Sequence, residues 1–77
     1  MAPRLPVLSA RDVLRALGKA GFAVVSQRGS HIRLKGHHSG RTWIAIVPNH
    51  DELTPGTLGS ILRQAGMTRE RFLHLLR

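Results

Sequence analysis

A small α+β domain, with helices on one face of a three-stranded antiparallel sheet, is the fold that the sequence predicts. Apolar residues at helical spacing precede three short β-rich segments, tight turn signals separate those segments, and a second helical repeat follows them. The chain has 77 residues and room for one core, so we expect residues 1–77 to form a single domain. Because the helices should cover one face of the sheet, the other face should remain in water.

The first helix is predicted over residues 10–20. Ser9 is a typical N-cap residue. Asp12 follows three residues later, where it can complete a capping box and place an anion at the positive end of the helix. Apolar residues then recur at helical spacing, and Gly21 supplies the left-handed residue with which many helices end.

Three strands are predicted over residues 22–27, 31–35 and 41–47. Residues 28–30 read as a turn, and residues 36–40 as a polar hairpin loop flanked by glycines. Short strands joined by tight connections indicate an antiparallel meander.

Two helices are predicted after the third strand. Thr54 followed by Pro55 is a strong start signal, and Gly66 closes that helix. Thr68 can cap a short C-terminal helix. The predicted order is therefore α-β-β-β-α with one short additional helix.

Residues 1–8 are expected to be an extended lead-in, because Pro3 and Pro6 keep their predecessors out of helical geometry. The segment has no long apolar run and is typical of neither a signal peptide nor a membrane span. The chain has no cysteine, which fits a reducing compartment. We therefore expect a cytoplasmic protein without a membrane partner.

The charge balance points to a polyanionic partner. Twelve Lys and Arg residues against four Asp and Glu residues give a formal net charge of +8. Such an excess favours binding to nucleic acid or to an acidic protein. The four carboxylates are scattered along the chain, which disfavours chemistry based on a carboxylate pair, and the absence of cysteine excludes a thiolate nucleophile.

His31 is the candidate catalytic residue. Gly29 and Ser30 form the turn before it, and alternation along the strand places it on the exposed face with Arg33 and Lys35. Imidazole exchanges a proton near neutral pH, and RNA carries its own nucleophile in the 2′-hydroxyl, so such a site needs neither a metal nor a cofactor. The alternative is an ordinary surface histidine beside ordinary turn residues.

Four cations could hold the phosphate of an RNA substrate: Arg28, Arg33, Lys35 and Arg41. Two further residues are possible secondary contributors. His50 precedes the last long helix and is a second catalytic candidate. Trp43 could stack on a base if residues 44 and 46 faced the core, or it could itself be packed in the core if the strand had the opposite phase.

A metal site is disfavoured. His37 and His38 are adjacent, and neighbouring strand residues point to opposite faces, so the pair would not easily share one ion. No cysteine or carboxylate pair stands nearby in the sequence. We interpret both histidines as solvated loop residues.

Four stretches of this sequence resemble the HicA toxin family, small ribonucleases of bacterial and archaeal toxin–antitoxin pairs. Residues 17–22 read LGKAGF, residues 27–31 read QRGSH, residues 45–50 read AIVPNH and residues 55–66 read PGTLGSILRQAG. The last stretch is the most distinctive, and the likeness extends over nearly the whole chain. One departure is Gly59, at a position where relatives often carry a basic residue.

The resemblance implies a fold like that of double-stranded-RNA-binding domains, which agrees with the order derived above. It implies a metal-independent ribonuclease that cleaves mRNA and arrests translation. The catalytic histidine of the family falls on His31 and its accompanying glycine on Gly29. The partner implied is a HicB-type antitoxin that covers the catalytic face. The runner-up, of a different class, is a non-catalytic RNA-binding module, and a metal-dependent hydrolase is the third alternative.

Overall fold

The computed structural model describes residues 5–77, and residues 1–4 of the predicted lead-in lie outside the described part. The elements follow the order α-β-β-β-α-α, which confirms the predicted fold class. Their bounds are α1 Ala10–Lys19, β1 Ala23–Arg28, β2 His31–His38, β3 Arg41–Pro48, α2 Pro55–Ala65 and α3 Arg69–Leu75. The strands form one antiparallel sheet in the order β1-β2-β3.

Each helix begins at the predicted capping residue. The side chain of Ser9 accepts from the Asp12 backbone N–H, and the Asp12 carboxylate accepts from the Ser9 N–H, so the capping box at α1 is complete. The Thr54 and Thr68 side chains cap α2 and α3 by accepting from the backbone N–H of Thr57 and Arg71. Gly66 ends α2 with φ +64°, a left-handed conformation that costs glycine little.

The second hairpin corrects the predicted loop over residues 36–40. Residues 36–38 belong to β2, and the turn consists of Ser39 and Gly40 alone. Both turn residues have positive φ, 53° and 74°, as a type I′ turn requires. The hairpin is therefore longer and tighter than the polar character of this stretch indicated.

A β-bulge interrupts β1. Val24 is opposite Leu34, whereas Ser26 is opposite Arg33, so Val25 is the extra residue. On the C-terminal side of the bulge, Arg28 is directly opposite His31. Regular pairing from the turn therefore places Arg28 and Ser26 on the face of His31 and Arg33, and the bulge changes only the facing of Val24 and Ala23.

The helices pack against one face of the sheet, mainly along β3. Ile32 and Leu34 of β2 and Ala45 and Val47 of β3 point into the core that the helices close. Because Ala45 and Val47 are buried, Trp43 also lies on the helix side of the sheet. Of the two phases that the sequence left open for β3, the structure has the one that places Trp43 against the core.

Two glycines make room for aromatic rings. A Cβ at Gly36 would lie 2.7 Å from the buried ring of Phe22, and a Cβ at Gly66 would lie 2.5 Å from the Trp43 ring. Gly36 thus belongs to the core as a residue that permits close packing, rather than to a flexible loop.

No helix among residues 5–77 is long and apolar enough to cross a membrane.

We predict that Gly36→Ala lowers the free energy of unfolding by about 1–3 kcal/mol, because the added methyl group overpacks the Phe22 ring. Gly18→Ala is the matched control. An added Cβ at this exposed helical position meets nothing within 4 Å, so the variant should gain about 0.5–1 kcal/mol from helix propensity. Urea unfolding of both variants measures the difference. Equal stability of the two would contradict the packing at Gly36.

A second prediction concerns acid stability. Hydrogen bonds from the backbone N–H and hydroxyl of Ser9, together with the Arg15 guanidinium, hold the pKa of Asp12 below its ordinary value. A depressed folded-state pKa stabilises the fold above the unfolded-state pKa, and this contribution disappears as the pH falls through the folded-state value.

Asp12→Asn should therefore reduce the loss of stability on acidification below about pH 4, as measured by urea unfolding at several pH values. Glu70→Gln, in the first turn of α3, is the control, because no hydrogen bond or ion pair of that carboxylate occurs among residues 5–77. If the Asp12→Asn variant lost as much stability on acidification as the parent, the contribution of the capping box to stability would be contradicted.

Candidate functional site

The open face of the sheet carries the candidate site. Ile32 and Leu34 turn inward, so the alternation of β2 presents His31, Arg33 and Lys35 to solvent. This placement is the one that the sequence predicted. The charged residues are thus held by a strand whose other face is fixed in the core.

The register brings β1 residues to the same face. Arg28 is opposite His31, and Ser26 is opposite Arg33. Ser26, Gln27, Arg28, His31, Arg33 and Ile46 line one shallow depression at this end of the sheet. An anion in it would meet an imidazole, two guanidinium groups and a hydroxyl, with half-buried Ile46 contributing apolar surface.

The positive charge of this face is not neutralised by the protein. The strands contain no Asp or Glu, and the single salt bridge among residues 5–77 joins Arg15 to Asp12 on α1 at 3.3 Å. Arg28, Arg33 and Lys35 are all exposed. Cations without a local counter-charge create the potential that attracts a phosphate chain.

Contacts on both sides hold the turn that precedes His31. Gly29 adopts φ +57°, and its carbonyl accepts from the Gln27 side-chain amide at 3.1 Å. The Ser30 carbonyl accepts from the Asn49 N–H at 2.6 Å. The β1–β2 turn is therefore bound both to its own strand and to the loop after β3, which fixes the start of β2.

His50 lies at the same end of the sheet but lines a different depression, together with Ser9, Arg11, Asn49 and Asp51. Its carbonyl accepts from the Ala10 N–H at 2.9 Å, which joins the loop to the start of α1. The structure therefore does not bring His50 into the depression that contains His31.

The structure places Arg41 and Trp43 far from His31. Arg41 is opposite His38, seven residues along β2 from His31, a separation of roughly 20 Å. The Arg41 guanidinium lies 4.1 Å from the centroid of the Trp43 ring, and the His38 ring stacks on Trp43 at 5.0 Å. Of the two alternatives for Trp43, the one beside His31 does not hold, because Trp43 is packed between these neighbours on the helix side.

The two adjacent histidines also point to different sides. His37 is exposed on the open face, whereas His38 is half-buried, and its Nε2 lies 2.7 Å from the Ala65 carbonyl oxygen. Both belong to β2 rather than to a loop. Within the described range 5–77, no group of three or more His, Asp or Glu side chains could hold a metal ion.

The prediction from the sequence missed Ser26 and Gln27 as residues of the site. Regular pairing counted back from the two-residue turn at 29–30 places Ser26 opposite Arg33, because Arg28 is opposite His31. That count was the available signal for Ser26, and the bulge at Val25 shifts only the residues before it.

The fold and site define a small α+β protein with a histidine and uncompensated cations on an open sheet face. The family model described as HicA toxin of bacterial toxin-antitoxin matches residues 10–67. The chain therefore belongs to the HicA toxin family. A search of curated proteins found no match to it.

We predict that Arg33→Ala weakens binding of single-stranded DNA, which lacks the 2′-hydroxyl that cleavage would need. The loss of one phosphate contact should cost about threefold to tenfold in affinity and reduce the salt slope by about 1. Fluorescence anisotropy over a salt series measures both. Arg69→Ala is the charge-matched control, because Arg69 is an exposed residue of α3, and this variant should bind like the parent. Equal losses in the two variants would show that binding depends on net charge alone.

Proposed function

We propose that this protein is the toxin of a toxin–antitoxin pair and acts as a metal-independent endoribonuclease on mRNA, which arrests translation. The observation that carries the proposal is the exposed His31 beside Arg28 and Arg33, in a depression without a carboxylate. Membership of the HicA toxin family supports the toxin role. The whole chain 1–77 would act as one domain in the cytoplasm.

The chemistry follows from the groups present. His31 would accept the proton of the ribose 2′-hydroxyl as the 2′-oxygen attacks the adjacent phosphorus, and the bond from phosphorus to the 5′-oxygen breaks. The products would be a 2′,3′-cyclic phosphate and a 5′-hydroxyl, whose oxygen takes its proton from water. Arg28 and Arg33 would bind the phosphate oxygens and stabilise the charge that develops on them. Gly29 and Ser30 would shape the turn that holds the imidazole, and Lys35 would contact the next phosphate along β2.

The proposed partner that restrains this activity is an acidic antitoxin of the HicB type. The net charge of +8 and the uncompensated cations of the open face support an acidic protein. Such a partner would compete with RNA for the same guanidinium groups.

A non-catalytic RNA-binding module is the second candidate function. One observation favours it. His50 lines a different depression, so the depression that contains His31 has no second imidazole. A binding module would use the same cations and would not need a general acid.

We expect His31→Ala to reduce RNA cleavage by about 10²–10⁴-fold, because it removes the group that exchanges the proton. Tm should stay close to that of the parent, since the ring is exposed. His37→Ala is the matched control, an exposed histidine on the same face of the same strand. Cleavage of a labelled RNA in EDTA measures all three proteins.

Three outcomes are informative. Parent-level cleavage by the His31 variant would overturn the catalytic role. Binding without cleavage by the parent would favour the RNA-binding module. Loss of the parent's activity in EDTA would indicate a metal-dependent hydrolase.

A further inference from the structure

The two edges of the sheet are not alike. At the outer edge of β3, the Ile46 N–H donates to the Gln64 side-chain oxygen at 2.9 Å, and the Gln64 amide nitrogen is 3.3 Å from the Ser60 hydroxyl. Helix α2 thus packs along β3 and occupies a main-chain donor of that edge. A further strand could not pair at this position without displacing Gln64.

The outer edge of β1, by contrast, is not covered by any of residues 5–77. All six of its residues are exposed, including two valines, Val24 at 55% and Val25 at 52%. Val24 is opposite buried Leu34 and so lies on the helix side of the sheet, but the helices pack mainly under β3 and leave it in water. Exposed apolar side chains along a free strand edge are the features that a docking strand requires.

The usual protections of an edge strand are largely missing from β1. Its sequence, AVVSQR, contains no proline or lysine, and its one charged residue is Arg28 at the end. The bulge at Val25 limits the length over which another strand could pair. It does not remove the apolar surface, because both the bulged Val25 and its neighbour Val24 stay exposed.

The charges around the edge of β1 indicate which kind of partner this edge can bind. Arg28 lies on β1 itself, and Arg33 and Lys35 lie on the neighbouring strand without a carboxylate on the sheet. A second copy of this chain would bring another +8 against these cations, which opposes self-pairing. A nucleic acid offers no main-chain partner for a strand edge and no apolar side chains for the valines. An extended polypeptide with acidic residues fits the free main-chain edge, the exposed valines and the uncompensated cations.

We propose that the free edge of β1 receives an extended strand from an acidic partner protein, which enlarges the sheet to four strands. Val24 and Val25 contact apolar residues of that strand, and Arg28 binds one of its carboxylates. The identity of the partner as an antitoxin rests on the proposed function, whereas the edge itself does not. One end of a strand docked here lies next to Arg28 and about 10 Å, two strand spacings, from His31, which is directly opposite Arg28.

The test uses the full chain, and the probe is a purified acidic antitoxin of the HicB type. Val24→Lys and Val25→Lys are the test variants, and Val7→Lys is the matched control, since Val7 is 65% exposed and lies outside the sheet. Each variant adds the same positive charge, which should favour an acidic partner. A loss of affinity therefore reports the lost apolar edge and not a charge effect.

We expect each edge variant to bind about tenfold more weakly, the equivalent of one valine contact, and the control to bind like the parent. Hydrogen exchange of residues 23–28 should slow in the complex with the parent chain. RNA cleavage, measured on the same samples, should change by less than about threefold, because neither valine lines the depression with His31.

Several results would overturn the proposal. Equal binding by edge and control variants, or unchanged hydrogen exchange in β1, would place the partner elsewhere and leave the ribonuclease proposal intact. If the free chain is dimeric and the Val25→Lys variant is monomeric, the edge of β1 pairs with a second copy of this chain. Failure of the parent to bind the antitoxin would reject the acidic partner, while the cleavage measurement separately decides the enzymatic function.

Discussion

The fold and the candidate site both depend on the two-sided character of strand β2. Its alternate residues Ile32 and Leu34 are anchored in the core, which fixes the register of the strand and prevents rotation of its other face. The backbone positions of His31 and Arg33 are thereby fixed, although their side chains are exposed. A one-residue slip would bury the charged residues and expose the apolar ones, so the packing that stabilises the domain also enforces the geometry of the site.

The electrostatic design complements this rigidity. The acidic residues lie on helices and loops, where Asp12 stabilises a helix start, and the strands have none. Three exposed cations therefore share one face at the spacing of alternate strand residues without internal ion pairs. Their mutual repulsion is tolerated because the side chains remain solvated, and a bound anion would relieve it.

Local rules predicted most of the fold because they act over a few residues. The caps Ser9 and Thr54 and the left-handed Gly66 depend on neighbours in sequence, and the structure confirms their predicted positions. The phase of β3 around Trp43 depends instead on which face of that strand the helices cover. The exposure of His31 followed from alternation in β2, and Ser26 lies beside Arg33 through the regular pairing of the first hairpin, whereas the bulge at Val25 interrupts that pairing and was not predicted.

The loop after β3 joins three parts of the chain that are distant in sequence. Asn49 binds the carbonyl of Ser30 in the first hairpin turn, and the carbonyl of His50 binds the start of α1. The first link can form with the β2–β3 hairpin, whereas the second joins residues forty apart and requires α1 to pack beside the loop. The loop that holds the turn before His31 should therefore reach its final position only after α1 has packed against it, so the first helix and this end of the sheet would become ordered together.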